Sequence, residues 1–442
     1  MRRPRRRYLV VAGSVVVVAA VALVHLVSQL RSPPVRNVRG SPTQEFVTTA
    51  TERPLPPADR PWPLYGYDGA RTHAAPFDLR PPFAHLWTFP VWEEIEFPPV
   101  VGYGLVFVSQ RRGRFYALDA RNGKPVWEKH FLHCAAASPV VGVRIVYAAY
   151  MQPYPCRRYP RTQRGFVVAM RFANRRGAWI NGRILWRYPS GAVETSPLLL
   201  GTTLYWGTWT HRLYALDVSK PLRPRLRWTF TADDEIDSSP AYANGRVFFG
   251  TNGGHVYALN ARTGRKLWRA ASFSSFLHGR EYFYATPTLA FGRVYIGNTD
   301  GTLYAFGQRD GRLLWAHHAG SYVYTAAAVW RREVIIGTYD GELIAYDAAT
   351  GDELWRHRAP GAIHGAPSVI DGIVYFSTCG RCGEHASRSA KSGPRGTYAV
   401  DARTGRLVWS YRDGQYSPVV ADRRRLYLVG FQHVYAFAPR RG

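Results

Sequence analysis

The chain has 442 residues and a formal net charge of +28, and 46% of its residues are hydrophobic. This apolar content is too high for a disordered chain, and the 41 glycines and 31 prolines follow no collagen period. The abundance of Gly, Tyr, Trp and Val favours many short strands. The basic charge favours polyanionic partners, namely nucleic acid, anionic lipid or acidic wall polymers.

The N-terminus carries the pattern of a membrane anchor. Five arginines within residues 2–7 precede an apolar run from Leu9 to Val27. The run is long enough to cross a hydrocarbon core of about 30 Å, and the arginines predict a cytoplasmic N-terminus. A cleaved signal peptide is the alternative, but its apolar region usually has about 7–15 residues. We therefore expect a cytoplasmic basic segment over residues 1–8 and a transmembrane signal-anchor helix over residues 9–30.

Residues 31–63 are rich in Pro, Ser, Thr and Arg without an apolar period, which predicts an extended linker. The rest of the chain, residues 64–442, then forms a domain on the outer side of the cytoplasmic membrane. That location argues against nucleic acid as a partner, although the residues beyond 59 keep a charge of +22. Anionic envelope polymers remain candidate partners.

One sequence pattern recurs along this outer domain, with a period of about 40 residues. Residues 116–127 read YALDARNGKPVW, and residues 257–268 read YALNARTGRKLW. The pattern predicts a strand, a turn made by Asn or Asp with Gly, and a second strand that ends at Trp. We place the eight copies at Tyr116, Val168, Tyr214, Tyr257, Tyr304, Ile344, Tyr398 and Tyr435.

Eight repeats predict an all-β fold, an eight-bladed propeller of four-stranded antiparallel blades, preceded by one transmembrane helix. The last copy lacks its Trp, whereas Trp87 has no copy of its own. We therefore expect the strand near Trp87 to complete the last blade, because closure of the ring removes free sheet edges.

The repeated Ala-x-Asp-x-x-Thr-Gly-x-x-x-Trp pattern resembles the tryptophan-docking motif of the pyrroloquinoline quinone (PQQ)-repeat propellers over residues 84–438. The superfamily contains quinoprotein alcohol dehydrogenases. It also contains a cofactor-free lipoprotein scaffold of the outer-membrane β-barrel assembly machine. The resemblance specifies the fold more strongly than the function.

The dehydrogenase branch implies a vicinal Cys-Cys pair, a Ca²⁺ site of Glu and Asn, and an Asp base. This chain has four cysteines and no adjacent pair, and it lacks the long inserts that cover the cofactor. We therefore expect no catalytic residues, no PQQ, no Ca²⁺ and no other metal.

One loop position of each blade is expected to surround the mouth of the central channel. When the blades are aligned on the proline position of their first strand, the residues three positions before it are equivalent. They are Glu96, Ala136, Glu194, Asp237, Tyr284, Tyr324, His364 and Gln415. The polar and aromatic members predict a site for a cation, an amine or a sugar-like ligand. Ordinary solvated loop ends are the alternative. Trp206, Trp209, Tyr282 and Tyr339 can add aromatic surface on the same face, and core packing is the alternative for some of them.

The four cysteines predict disulfides, since the domain is expected outside the cytoplasm. Cys134 and Cys156 lie in two loops on one face of the same blade, so a bridge between them is expected. Cys379 and Cys382 form a C-x-x-C pattern that favours a second, small disulfide loop. A zinc knuckle that includes His385 and a redox pair are the alternatives.

The sequence as a whole indicates a membrane-anchored, non-catalytic binding or scaffold module for a protein partner or an envelope component. One alternative is a quinoprotein-type oxidoreductase with a redox cofactor in the channel. Another is a lectin-like binder of acidic cell-wall polymers, which the positive charge motivates.

Overall fold

The computed structural model describes residues 18–24, 26, 36–48, 55–156, 164–174, 176–275, 279–380, 382, 392–416 and 419–440. Its strands form eight principal sheets, and each sheet contains the four antiparallel strands of one blade. The four strands are consecutive in seven blades, and the sheet of blade 7 has a fifth strand, Ala74–Ala75, which pairs parallel with Ser368–Ile370. The predicted number of blades and their four-stranded antiparallel architecture are confirmed.

The strand bounds follow the predicted repeat. Blade 1 comprises Val100–Gly102, Leu105–Ser109, Arg114–Asp119 and Pro125–His130. Blade 2 comprises Val140–Val141, Ile145–Tyr150, Phe166–Ala173 and Trp179–Pro189. Blade 3 comprises Leu198–Leu200, Thr203–Gly207, Arg212–Asp217 and Arg225–Thr231. Blade 4 comprises Ala241–Ala243, Arg246–Gly250, His255–Asn260 and Lys266–Ala271.

Blade 5 comprises Thr288–Ala290, Arg293–Gly297, Thr302–Gly307 and Leu313–His318. Blade 6 comprises Ala328–Trp330, Glu333–Gly337, Glu342–Asp347 and Glu353–Arg358. Blade 7 comprises Ser368–Ile370, Ile373–Thr378, Gly396–Asp401 and Leu407–Tyr411. Blade 8 comprises Val420–Ala421, Leu426–Val429, His433–Pro439 and, from the N-terminal side of the propeller, Phe83–Pro90. A small hairpin, Ser274–Ser275 with Gly279–Arg280, and the short strand Ala74–Ala75 complete the set.

The ring closes as the sequence predicts. The strand Phe83–Pro90 pairs antiparallel with His433–Pro439, and Trp87 lies opposite Ala436. First strands contact one another across six of the eight boundaries between neighbouring blades, including the boundary between blades 8 and 1. The first strand of each blade therefore lies nearest the axis of a closed ring.

Tryptophan side chains join neighbouring blades. The indole N–H of Trp268 in blade 4 donates to the carbonyl oxygen of Gln308 in blade 5 at 3.0 Å. The indole ring also covers Gly311, whose φ of +75° makes the turn. Equivalent hydrogen bonds run from Trp87, Trp228, Trp315 and Trp355 to Ala120, Ala261, Ala348 and Ala402. The repeated Trp thus packs between neighbouring blades, and the turn glycine gives the ring room to pack.

Residues 62–75, which we call the axial segment, follow the inner edges of the blades. Every residue from Trp62 to His73 is buried. Carbonyl oxygens of this segment accept hydrogen bonds from first-strand amides in six blades. The donors are Val101, Val141, Tyr242, Leu289, Val329 and Val369. The segment therefore satisfies inner-strand amides that would otherwise lack a partner near the axis, and it fills the channel.

Arg71 anchors the axial segment between blades 3 and 4. Its guanidinium is fully buried and donates to the carbonyl oxygens of Ser196 and Pro240, both at 3.0 Å. It also donates to the carbonyl oxygen of Tyr65 in its own segment. Hydrogen bonds to a charged donor are stronger than neutral ones, so Arg71 binds the segment to two blades at once.

The segment that precedes the axial segment also contacts the propeller. Val38 forms an antiparallel bridge with Ala316, Phe46 stacks on Phe291 at 4.9 Å, and Arg39 pairs with Asp352 at 2.7 Å. Residues 36–48 therefore lie along blades 5 and 6. The domain boundaries at residues 8, 30 and 63 remain predictions.

Of the expected anchor, residues 9–30, the structure describes residues 18–24 and 26, and these are helical. The other residues of the expected anchor lie outside the described part of the chain. Within the part of the chain that the structure describes, no helix has the length and apolar character needed to cross a membrane.

We expect Gly311→Ala to destabilise the protein more than Gly245→Ala. The two glycines have similar φ values, +75° and +74°, but a methyl at 311 would lie 2.6 Å from Trp268, whereas one at 245 meets no atom within 4 Å. The additional loss in free energy of unfolding should be about 1–3 kcal/mol, as for an overpacked core. Denaturant unfolding of both variants measures it, and equal losses would contradict the docking role of Trp268.

Arg71→Met should lower the free energy of unfolding by about 3 kcal/mol or more, because each buried carbonyl left without a donor costs about 1–3 kcal/mol. The control is Arg121→Met, whose parent side chain is 78% exposed and pairs with Asp119. An exposed ion pair contributes about 0–1 kcal/mol. If thermal and denaturant unfolding give the same loss for both variants, Arg71 does not anchor the axial segment.

Candidate functional site

The eight predicted mouth positions lie in the loops just before the first strand of each blade. We call the side of the propeller that carries these loops, and the loops after the second strands, the loop-bearing face. The mouth positions divide into an acidic half, formed by blades 3 and 4, and an aromatic half, formed by blades 5 to 7. Glu96, Ala136 and Gln415 lie at the remaining positions, in blades 1, 2 and 8. The structure thus brings polar members of the predicted set together, while their binding role remains a prediction.

The acidic half holds two carboxylates within a network of donors. The hydroxyl of Tyr284 donates to the carboxylate of Glu194, which is 8% exposed. Asp237, which is 4% exposed, accepts from the indole of Trp209 at 2.5 Å and from the amide of Asn252 at 2.7 Å. These donors orient two buried carboxylates that would be costly without hydrogen bonds.

The aromatic half is a continuous array of rings. Tyr324 makes an edge contact with Tyr284 and stacks on Tyr339, with centroids 4.9 Å apart in both pairs. The hydroxyl of Tyr339 contacts Nδ1 of His364, and that imidazole meets the ring of Tyr416 edge-on at 4.8 Å. Neighbouring blades therefore contribute one connected aromatic wall.

Glu96 connects the two halves electrostatically. Its charge raises the pKa of the Tyr284, Tyr339 and Tyr416 hydroxyls, although burial is the larger cause in each case. Glu194 and Asp237 add to the effect on Tyr284. The phenols therefore stay protonated at neutral pH and remain hydrogen-bond donors.

Gln415 completes the ring beside blade 1. It is 1% exposed, and its amide donates to Glu94 Oε1 at 3.1 Å. The other oxygen of Glu94 pairs with Arg111 at 3.3 Å. Gln415 is therefore held by residues of the blade that follows it around the ring.

The axial segment forms the floor of the mouth. Tyr65 packs with Ala326 and Ala366, which lie two residues after mouth positions Tyr324 and His364. The ring of Tyr65 also contacts Phe97 at 5.5 Å. We call the eight mouth positions, together with Tyr65 beneath them, the cup.

Both predicted disulfides are present and flank this cup. Cys134–Cys156 packs with Ala136 and Trp209, and Cys379–Cys382 packs with Tyr339 and Tyr416. Cys134–Cys156 ties the long insert of blade 2 to the loop before its first strand, whereas Cys379–Cys382 closes a short turn at the start of the long insert of blade 7. His385, the third group of the alternative zinc knuckle, lies outside the described residues.

The sequence interpretation missed Asn252, Tyr416, Glu94 and the floor residue Tyr65. Asn252 occupies the second position after the second strand of its blade, the same position as Trp209 and Tyr339. Alignment of the blades on that strand end would have predicted Asn252. Tyr65 lies outside every repeat, so no alignment of blades could predict it.

The mouth does not reproduce the donor set that the dehydrogenase branch implies. Neither disulfide joins two cysteines that are adjacent in the sequence. The N–H groups of Asn252 are directed to Asp237 and Glu235. Among the described residues, no three His, Cys, Asp or Glu side chains are grouped to hold a metal ion. The side chains present therefore do not fit PQQ with Ca²⁺.

His364→Gln should weaken the pH dependence of stability. Burial lowers the pKa of His364 to about 4, so the unfolded chain binds its proton first and stability falls as the pH drops from about 6.5 to 4. Thermal unfolding across this range measures the slope. Tyr339→Phe is the control, since it removes the hydroxyl but keeps the buried imidazole. An unchanged slope in His364→Gln would contradict the role of His364.

Comparison with known proteins identifies the family. The family model described as Outer membrane protein assembly factor BamB matches residues 84–220, 223–331 and 323–441. BamB of Legionella pneumophila is 26% identical over 184 residues, which are 39% of this chain and 42% of that protein. The Lanthanide-dependent methanol dehydrogenase of Methylacidiphilum fumariolicum is 34% identical over 103 residues, which are 20% of this chain and 16% of that protein. The matches thus span less than half the length of either relative.

Solved structures share the fold at low identity. BamB from Moraxella catarrhalis has a TM-score of 0.62 at 14% identity, covering 80% of this chain and 99% of that one. A quinohemoprotein alcohol dehydrogenase from Pseudomonas putida has a TM-score of 0.64 at 11% identity, covering 86% and 80%. Since the family model matches nearly all of the propeller, the chain belongs to the BamB family of PQQ-repeat β-propellers.

Proposed function

We propose that the protein is a non-catalytic scaffold whose loop-bearing face binds a protein partner in the cell envelope. Membership of a family described as an assembly factor supports a protein-binding role. The cup supports it too, because its carboxylates and phenols form a connected network over a closed floor. We propose that no PQQ or Ca²⁺ takes part.

A patch on the loop-bearing face carries this proposal. Trp92 is 79% exposed, and the adjacent Glu93 pairs with Arg112 at 2.9 Å. The guanidinium of Arg112 lies over the ring of Tyr154, whose amide donates to the carbonyl oxygen of Leu132. The contacts thus join exposed apolar side chains of blades 1 and 2 into one surface. An exposed Trp with Tyr and Arg nearby is typical of the energetic centre of a protein interface.

We further propose that a transmembrane anchor over residues 9–30 holds the propeller on the outer side of the cytoplasmic membrane. The basic residues before the apolar run support this orientation. The two disulfides support an oxidising compartment.

Site-specific photocrosslinking in native membranes tests the scaffold function. A photoreactive phenylalanine replaces Trp92 in the full chain, and the control replaces Leu222, which is 63% exposed in a turn on the opposite face. We expect a discrete adduct with an envelope protein from position 92 only, because that face is proposed to hold the partner. Equal crosslinking at both positions, or none at 92, would refute the proposed surface.

A quinoprotein oxidoreductase is the second candidate, which the dehydrogenase relatives favour. This function requires that PQQ with Ca²⁺ raise the melting temperature and support dye-linked alcohol oxidation. We expect neither result, because the donor set differs from the one that the dehydrogenase branch implies. An acidic wall polymer remains a third predicted partner, and its binding should weaken with salt.

A further inference from the structure

We propose that residues 36–48, which we call the strap, hold the propeller with its basic outer edge against an anionic membrane surface. The inference rests on the transmembrane anchor proposed above, because the anchor provides the fixed point from which the chain reaches the strap. Three observations support it: the contacts of the strap, the length of chain before it, and the charge of the outer strands around it.

A buried arginine binds the strap to the propeller. The guanidinium of Arg293 in blade 5 donates to the carbonyl oxygens of Ser41 at 3.1 Å and Gln44 at 2.7 Å, and also to that of Ala348 in blade 6 at 3.1 Å. Arg293 is fully buried. Since hydrogen bonds from a charged donor are stronger than neutral ones, these contacts fix the strap at the boundary between the two blades.

An aromatic side chain of the strap adds to this attachment. The guanidiniums of Arg293 and Arg332 each lie 5.1 Å from the centre of the Phe46 ring. The same ring stacks on Phe291. A cation within about 6 Å of an aromatic centroid is attracted to the ring face. The strap is therefore bound along its length, and its first residues determine where the chain meets the propeller.

The strap begins at the outer edge of blades 4 and 5. Asn37 accepts a hydrogen bond at 2.8 Å from the backbone amide of His318, the last residue of the outer strand of blade 5. The residue after Asn37 forms an antiparallel bridge with Ala316 in the same strand. The guanidinium of Arg36 lies over the ring of Phe273, which follows the outer strand of blade 4. A chain that comes from the anchor thus reaches the propeller at this edge.

The length of chain before the strap limits how far this edge can lie from the membrane. The expected anchor ends at residue 30, and Asn37 is seven residues further on. A fully extended chain spans at most about 3.6 Å per residue, so the edge must lie within about 25 Å of the end of the anchor. This limit holds for any path of the chain in between. Without the strap, the chain up to residue 63 would allow more than about 100 Å.

The outer strands on this side of the ring are basic. Those of blades 2 to 6 contain eight exposed basic residues and one acidic residue, whereas those of blades 7, 8 and 1 contain one of each. The eight are Arg183, Arg187, Arg225, Arg227, Lys266, Arg269, Arg356 and Arg358. Arg227, Arg356 and Arg358 pair with carboxylates, and the others leave an excess of positive charge. Anionic lipid headgroups attract Lys and Arg side chains at a membrane surface, so the tethered edge is also the one that such a surface favours.

This orientation leaves the proposed partner surface free. Blade 1 lies opposite blade 5 in a ring of eight, and Trp92 precedes the first strand of blade 1. The exposed patch around Trp92 is therefore on the side of the propeller away from the strap.

Fluorescence quenching by lipids with a spin-labelled headgroup tests the orientation. The full chain is reconstituted in vesicles that contain anionic lipid, and one fluorophore is attached to Arg269→Cys or Thr88→Cys. The two positions are equivalent, since each follows the docking Trp of its outer strand, and they lie in the opposite blades 4 and 8. Both side chains are exposed, and the native cysteines are in disulfides. We expect at least threefold stronger quenching at position 269. Equal quenching, or stronger quenching at 88, would overturn the proposal.

Two matched insertions test the strap. At high salt, where attraction to headgroups is screened, about 20 Gly and Ser residues inserted between Ser32 and Pro33 lengthen the flexible tether. Quenching at position 269 should fall at least twofold. The same insertion between Glu52 and Arg53 lies after the strap, so quenching should stay unchanged. Equal losses for both insertions would show that the strap does not hold the propeller. Thermal unfolding establishes that both variants fold.

Lipid charge and membrane extraction complete the test. At low salt, replacing the anionic lipid by a zwitterionic one should weaken quenching at position 269 at least twofold in the chain with the Ser32–Pro33 insertion. Unchanged quenching would refute the role of the basic edge. Release of the full chain from native membranes by alkaline carbonate would refute the anchor and this inference with it. Retention, together with equal quenching at positions 269 and 88, would refute this inference alone.

Discussion

The hydrogen bond from an outer-strand indole to a carbonyl oxygen of the next blade is the interaction on which the structure depends. A four-stranded sheet exposes two apolar faces, so no blade is stable without its neighbours. The indole supplies apolar area across these boundaries and, at six of the eight, a donor to a carbonyl oxygen of the next blade. A glycine beneath most of the rings leaves space for them. The boundary between blades 1 and 2 departs from the pattern, since the indole N–H of Trp127 in blade 1 has no acceptor among the described residues, although its ring still covers Gly182 of blade 2. Packing area thus tolerates the loss of one hydrogen bond.

Because every blade repeats the same frame, the mouth is defined by one loop position used eight times. The backbone at that position hardly distinguishes one blade from another, so the side chains alone create the asymmetry between an acidic and an aromatic half. Asp237 accepts hydrogen bonds from Trp209 and Asn252, which lie in the loops after the second strands of blades 3 and 4. Two loops per blade therefore build the cup, and the disulfides restrain the long loops that surround it.

The features that the sequence predicted are those with a periodic or local signature. The eight third strands, the closing strand at Trp87 and the Cys134–Cys156 bridge each follow from spacing and from shared loop faces. The axial segment could not be predicted this way. It binds the blades through its carbonyl oxygens, which every residue has, so its contacts leave no pattern in the side chains. Arg71 is likewise one arginine among many until the fold buries it. The contacts within the cup were also hidden, because they join residues from loops far apart in the chain.

The axial segment also determines from which side the cup can work. Tyr65 packs with Ala326 and Ala366 beneath the mouth, so the axial segment lies on the side of the cup opposite the loop-bearing face. Arg71, the cation below, directs its hydrogen bonds to the carbonyl oxygens of Tyr65, Ser196, Pro197 and Pro240. Three of these carbonyls, those of Ser196, Pro197 and Pro240, lie two or three residues after Glu194 or Asp237. Because those hydrogen bonds satisfy its guanidinium, the fold can keep a buried arginine under the mouth while the acidic character of the rim faces the side where a partner would dock.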